Sequence, residues 1–167
     1  MINVDTIIKQ LGLRPHPEGG FFSETYRSDE TLNGQTLPSR YGSKRAMGTA
    51  IYFLLTAESC SVMHRIKSDE IFHFYMGDPV TMLQLYPDHE SKIVTLGSDL
   101  LQGQQPQVIV PKGIWQGSFI APGGSYALLG TTVAPGFEFE DFEYGRRKEL
   151  IELYPSEKQK IIRLTRD

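Results

Sequence analysis

Cysteine is almost missing from this chain of 167 residues: Cys60 is the only one. No internal disulfide can form, and the expected compartment is a reducing one, the cytoplasm. Cys60 stands between Ser59 and Ser61 with no evident base nearby, so it reads as a small strand residue rather than a nucleophile. Long apolar runs are missing as well. Nothing approaches the roughly eighteen consecutive apolar residues of a membrane helix. Met1-Ile2-Asn3-Val4-Asp5 has no basic region followed by an apolar core, so no signal peptide is expected. An excess of positive charge is also absent. The net charge of -3 is the wrong balance for a dedicated nucleic-acid binder, which is normally basic.

What is present is a succession of short strand-like runs. Val4, Ile7, Ile8 and Leu11 first mark a short amphipathic helix, with Asn3 as its cap and Gly12 as its stop. A rigid loop follows, Pro15-His16-Pro17-Glu18-Gly19-Gly20. Its Pro/Gly frame holds His16 and Glu18 firmly, either at the rim of a pocket or as a brace for the barrel. From Phe21 the pattern becomes short and alternating: Phe21-Arg27, Thr49-Leu55, Ser59-His64, Glu70-Met76, Thr81-Tyr86, Ser91-Leu96, Gln107-Val110, Trp115-Ile120 and Ser125-Val133. Frequent Gly, Pro, Asn and Asp between such runs predict a β-sandwich or barrel. Ser28-Arg45 is polar and reads as a long loop or flap. Phe137-Glu143 alternates aromatic and acidic residues, the pattern of a half-buried edge strand. After Arg146, Leu150, Ile151 and Tyr154 have helical spacing, and Ser156 is placed to cap a last short helix with Ile161 and Ile162. No repeat or linker interrupts this series, so residues 1–167 read as one domain, with the barrel core at about 20–145.

The most informative stretch runs from His64 to Gly77, with Glu70 between them. Strand alternation puts Glu70, Phe72, Phe74 and Met76 on one face, and His64 with Ile66 on one face. Gln116, Ser118 and Ile120 share a face in the same way, and Trp115, the only Trp, faces away from them toward core or interface. These segments resemble the two sequence motifs of the cupin superfamily. The first motif has His64, Ile66 where a second His is usual, Glu70 and Gly77; the second has Pro111-Lys112-Gly113, then Gln116 and Ile120 where His and Asn are usual. More closely, the chain resembles the fifth cupin family. The residues that carry this are Pro15-Arg27, Thr49-Leu55, His64-Arg65, Ser68-Asp69-Glu70, His73-Phe74-Tyr75, Gly77-Asp78-Pro79, Val110-Gly113, Trp115-Gln116-Gly117, and Thr132-Phe137 with Phe139-Phe142.

The resemblance implies an all-β fold, the cupin double-stranded β-helix or jelly-roll barrel, with short N- and C-terminal helices. It also implies a homodimer and a pocket at the open end of the barrel. Metal-binding cupins use three His and one Glu; here only His64 and Glu70 match. Ile66 has no donor, and Gln116 offers a weak neutral amide oxygen. His73 faces outward unless a bulge reverses it, and His16 and His89 reach inward only from loops. No tightly bound metal or other cofactor is therefore expected, with a weakly held divalent ion at His64 and Glu70 as the alternative.

The expected site is a polar cluster on an apolar wall. His64 and Glu70 are the catalytic pair, His64 exchanging a proton near neutral pH. Gln116 and Ser118 bind a carbonyl or hydroxyl, and Phe72 and Phe74 supply area for a planar or sugar ring. The blander alternative is that His64 and Glu70 merely satisfy each other inside the barrel. Arg27 and Arg45 read as exposed ion pairs before they read as anion-binding groups. The reaction that suits the pair is a metal-independent epimerisation or isomerisation of a sugar or nucleotide-sugar, on a carbohydrate-like ligand. A non-catalytic binding protein for a small ligand is the alternative, and a metal-dependent oxygenase or isomerase is disfavoured by Ile66 and Gln116.

Overall fold

The computed structural model describes residues 3–166. Met1, Ile2 and Asp167, and with them the first two positions of the signal-peptide reading and the ends of the 1–167 domain, lie outside the described residues. In chain order the strands are β1 (Arg14–Pro15), β2 (Phe21–Arg27), β3 (Thr31–Leu32), β4 (Arg45–Ala46), β5 (Thr49–Thr56), β6 (Cys60–Arg65) and β7 (Asp69–Gly77), then β8 (Val80–Leu85), β9 (Ser91–Leu96), β10 (Gln107–Val110), β11 (Trp115–Ile120), β12 (Tyr126–Ala134) and β13 (Glu143–Tyr144). The helices are α1 (Val4–Leu11), α2 (Arg147–Leu153) and α3 (Lys158–Arg163).

Two antiparallel sheets face each other. One has the order β1-β2-β5-β12-β7-β10, the other β13-β6-β11-β8-β9. This is the jelly-roll sandwich of a cupin barrel. Alternation decides which side chains fill it. Phe22, Phe53, Phe72, Met82, Ile120 and Leu129 point inward and form the core between the sheets. Met63, Leu83, Leu85 and Phe119 point outward from the second sheet and are covered by Leu150, Tyr154, Ile161 and Leu164 of the C-terminal segment. On the outer side of the first sheet, α1 buries Ile7 against Leu13, Leu54 and Leu128. Asn3 Oδ1 accepts the Thr6 N–H at 2.8 Å, and Gly12 ends the helix at φ 60.

Three local expectations are corrected. The Ser28-Arg45 segment is not wholly a loop, because β3 and β4 pair across it. The aromatic-acidic segment forms a 3₁₀ turn at Phe139–Asp141, with only β13 as strand. Ser156 sits inside a 3₁₀ turn, Pro155–Glu157, and Glu157 is the residue before α3.

Two features position the site. The first is a bulge between β6 and β11: Gln116 pairs with His64, but Ser118 pairs with Ser61. The extra residue on β6 turns both Ser61 and His64 inward, which strict alternation forbids. Gly117 sits opposite the bulge, where a Cβ would fall 2.9 Å from Met63 Sδ and 3.1 Å from the Ser61 carbonyl oxygen. The second is the loop before β2. Gly19 (φ 111) and Gly20 (φ 70) pass so close to β6 and β5 that a Cβ would strike the Cys60 and Leu54 carbonyl oxygens. The Val62 N–H donates to the Glu18 carbonyl at 3.0 Å, so Glu18 is laid against the bulge.

Candidate functional site

The barrel holds a cavity of about 280 Å³. Its buried end carries Glu18, His64, Glu70 and Thr131; Phe22, Ile51, Phe53, Val133 and Phe142 form apolar walls; Arg14, Glu24, Arg27 and Glu138 stand toward solvent.

His64 is 2 % exposed. Its Nδ1 lies 2.7 Å from the Val62 carbonyl oxygen. A carbonyl only accepts, so Nδ1 carries the proton and Nε2 presents a lone pair. Gln116 Nε2 donates to that lone pair at 2.7 Å and to Glu70 Oε2 at 3.1 Å. Glu18 Oε2 lies 3.3 Å from His64 Nε2, and Ser61 Oγ donates to Glu18 Oε1 at 2.8 Å. The Phe142 ring stacks on the imidazole at 4.8 Å between centroids.

Burial sets the charges. It pushes the Glu18 carboxyl up to about 8, against the opposing pull of the Ser61 hydroxyl and Arg166. It raises Glu70 to about 7; His64, Thr131 and Gln116 pull it down, while Glu18 pushes further up. It lowers His64, although Glu70 and the Val62 carbonyl oppose that. At neutral pH the resting cluster is thus a neutral imidazole beside a protonated Glu18, with Glu70 close to half-ionised. His16 is lowered to about 4, first by burial and then by His64 and Arg14.

The cavity differs from the expected site in its lining. His64 and Glu70 both open onto it, linked through Gln116. Phe72 is 1 % exposed and belongs to the interdigitated core, with Phe74 packed against the same cluster; neither reaches the cavity wall. Gln116 and Ser118 are buried behind the lining, and Gln116 Oε1 and Ser118 Oγ have no hydrogen-bond partner among the described residues. The ring surfaces that line the cavity are Phe22, Phe53, Phe137, Phe139 and Phe142 instead. His16 and Glu18 both line the cavity, and the Glu18 carbonyl also braces β6 through the Val62 N–H.

The arginines also differ from expectation. Arg27 is the half-exposed ion pair foreseen, bonded to Glu24 at 2.9 Å and Glu138 at 2.7 Å. Arg45 is 1 % exposed and gripped by Asp141 through Nε at 2.8 Å and Nη2 at 2.7 Å. It anchors the turn that carries Phe142 onto His64.

The fold class implies a metal, but these residues do not fit one. Among the described residues no group of His, Cys, Asp and Glu side chains converges to hold an ion. A side-chain N–H of Gln116 occupies the lone pair of His64 that would ligate, and Ile66, 8 % exposed, stands at the second His position.

A β-barrel of this topology with a polar cluster inside one end defines a cupin. The chain belongs to the Cupin_5 family (cupin superfamily, DUF985), which matches residues 5–145. It is 31 % identical over 151 residues to the uncharacterised protein YML079W of Saccharomyces cerevisiae, covering 85 % of this chain and 75 % of that one. Two solved structures are similar over nearly their whole length. A hypothetical protein from Leishmania major has a TM-score of 0.88 at 33 % identity, covering 99 % of this chain and 100 % of that one. Protein SO0799 from Shewanella oneidensis has a TM-score of 0.88 at 36 % identity, covering 99 % of each. Oxalate decarboxylase from Bacillus subtilis shares the fold alone, with a TM-score of 0.53 at 13 % identity over 90 % of this chain and 36 % of that one. No helix of the described residues is long and apolar enough to cross a membrane.

Proposed function

We propose that this cupin binds a small hydroxy-carbonyl compound, of monosaccharide size, and isomerises it by moving a proton between adjacent carbons. The observation that carries this is the buried trio Glu18, His64 and Glu70 at the closed end of an apolar-walled cavity. The volume of about 280 Å³ lies at the small end of ligand pockets, which start near ~300 Å³. That favours a free sugar or sugar acid over a whole nucleotide-sugar.

The protons balance within the cluster. His64 Nε2 takes the proton from the carbon next to the carbonyl, and Glu18 gives its proton to the carbonyl oxygen. An enediol forms, and His64 and Glu18 become an imidazolium-carboxylate pair that compensates its own charge inside the barrel. The neighbouring hydroxyl then returns a proton to Glu18, and His64 returns its proton to the adjacent carbon. Glu70 favours the imidazolium electrostatically. For His64 to act as base, the Gln116 N–H, which meets His64 Nε2 in the resting cluster, turns aside when ligand enters and frees the lone pair that takes the proton. All the acid and base groups form one contiguous cluster, so a proton leaves and returns on one face of the ligand. That favours isomerisation over epimerisation, which needs proton donors on both faces.

The test is solvent exchange. Aldoses, ketoses and uronates incubated in D2O with the protein are expected to gain carbon-bound deuterium in at least one case. The rate should fall by ~10²-fold or more in His64→Gln. Binding of a sugar with no exchange would replace this reading by that of a binding protein, which the Gln116 bond to His64 Nε2 also accommodates. A homodimer is proposed as well. Exposed Ile93 on β9 and Ile109 on β10, edge strands of the two sheets, support it, and sedimentation equilibrium tests it.

A further inference from the structure

Beyond the acid-base trio, the cavity has two polar groups with nothing to bind. The His16 side chain is 8 % exposed and lines the cavity. Its Nδ1 accepts the Glu18 N–H at 3.2 Å, so in the neutral ring Nε2 carries the proton. No protein group among the described residues accepts that proton. The ring is held by edge contacts to Phe22 at 4.5 Å and Phe53 at 5.8 Å between centroids, so the unused donor cannot swing away to solvent. The neighbouring cation is Arg14. It lines the same cavity and lies 4.8 Å over the Phe22 ring. It has no carboxylate or hydrogen-bond partner among the described residues, whereas Arg27, the other lining arginine, is taken by Glu24 and Glu138.

We propose that Arg14 and His16 Nε2–H together bind an anionic oxygen group on the ligand, so that the preferred compounds are sugar acids or sugar phosphates rather than neutral sugars. This rests on the small-molecule reading of the cavity and narrows its substrate class. The guanidinium supplies charge and the imidazole supplies a fixed, uncharged donor. The Phe22 ring lies under both, which keeps the pair oriented before ligand arrives. Glu24 and Glu138 share Arg27, and with Arg14 counted the two cations and two carboxylates of the rim balance, so the rim carries no net charge to repel an anion.

The experiment is calorimetric titration of the full chain with glucose, glucuronate and glucose phosphate, on the wild type, Arg14→Gln and His16→Phe. Arg14 is exposed and makes only the ring contact, so Arg14→Gln is expected to fold as the wild type does. His16→Phe keeps the packing and loses the donor. At least one anionic sugar should bind ten times more tightly than glucose, and that preference should shrink at least tenfold in Arg14→Gln. Preference for glucuronate identifies a carboxylate, and preference for glucose phosphate a phosphate; both support the proposal. Equal binding of all three, binding of none, or a preference unchanged in Arg14→Gln overturns it. If the anion preference holds while deuterium exchange fails, the anchor stands and the isomerase reading falls.

Discussion

Glu18 Oε2 sits 3.3 Å from His64 Nε2, so a loop residue and a β6 residue form one buried acid-base unit. The contact depends on two sequence details that contain no reactive group. Gly19-Gly20 let the loop lie on the sheet, and the bulge opposite Gly117 turns Ser61 and His64 toward the same carboxyl. A protonated acid beside a neutral base is the arrangement that general acid-base chemistry needs near neutral pH.

That arrangement makes stability depend on pH. In the unfolded chain a Glu ionises from 4.5 upward, whereas folded Glu18 keeps its proton to about 8 and Glu70 to about 7. Across that range the fold binds more protons, so these carboxyls lower stability as pH rises. The histidines act oppositely. His16 falls to about 4 and His64 is lowered from 6.5, so stability rises with pH up to 6.5 on their account. Between pH 6.5 and 8 only the carboxyl effect remains, and stability falls. Urea titrations should show that fall in the wild type. Glu18→Gln should flatten it and be more stable at pH 8 by on the order of 2 kcal/mol, with no gain below pH 4.5.

The buried Arg45 supports a turn, not a ligand. Arg45→Met leaves Asp141, 5 % exposed, without its bidentate partner and should cost about 3–5 kcal/mol in denaturant titrations. Asp141→Asn should cost less, because Arg45 still reaches Glu140, at 2.6 Å.

The legibility of the sequence followed the regularity of the backbone. Strand bounds were legible: Phe21–Arg27, Ser91–Leu96, Gln107–Val110 and Trp115–Ile120 have the expected limits, and Glu70 with Phe72 faces inward. Ser61 was hidden because a bulge breaks the period of two. The direction of Glu18 was not legible because it sits in a loop, where no period tells which way a side chain points. Its one signal was the rigid Pro-x-Pro-Glu-Gly-Gly frame. Arg45 looked like surface charge because its partner Asp141 is distant in sequence. Phe72 and Phe74 were correctly faced but too deep, since alternation tells the side of a strand and not the height along the barrel.

Restoring the usual donors should create a metal centre. Ile66→His with Gln116→His adds two imidazoles to His64 and Glu70 and frees His64 Nε2 from the amide. One divalent transition ion per chain is expected in the double variant by elemental analysis, with the wild type holding at least ten times less under the same conditions.

Gly19→Ala puts a Cβ onto the Cys60 carbonyl oxygen at a backbone φ of 111. Destabilisation of about 1–3 kcal/mol is expected. The Glu18 carboxyl should move away from His64, seen as a change in the His64 imidazole resonances in NMR.

The most direct test of the central claim is the protonation state of His64 itself, read from ¹⁵N shifts of the labelled imidazole between pH 6 and 8. The account predicts a neutral ring with the proton on Nδ1 throughout, and Glu18 losing its proton only near the top of that range. A doubly protonated ring at pH 7, paired with an ionised Glu18, would contradict it.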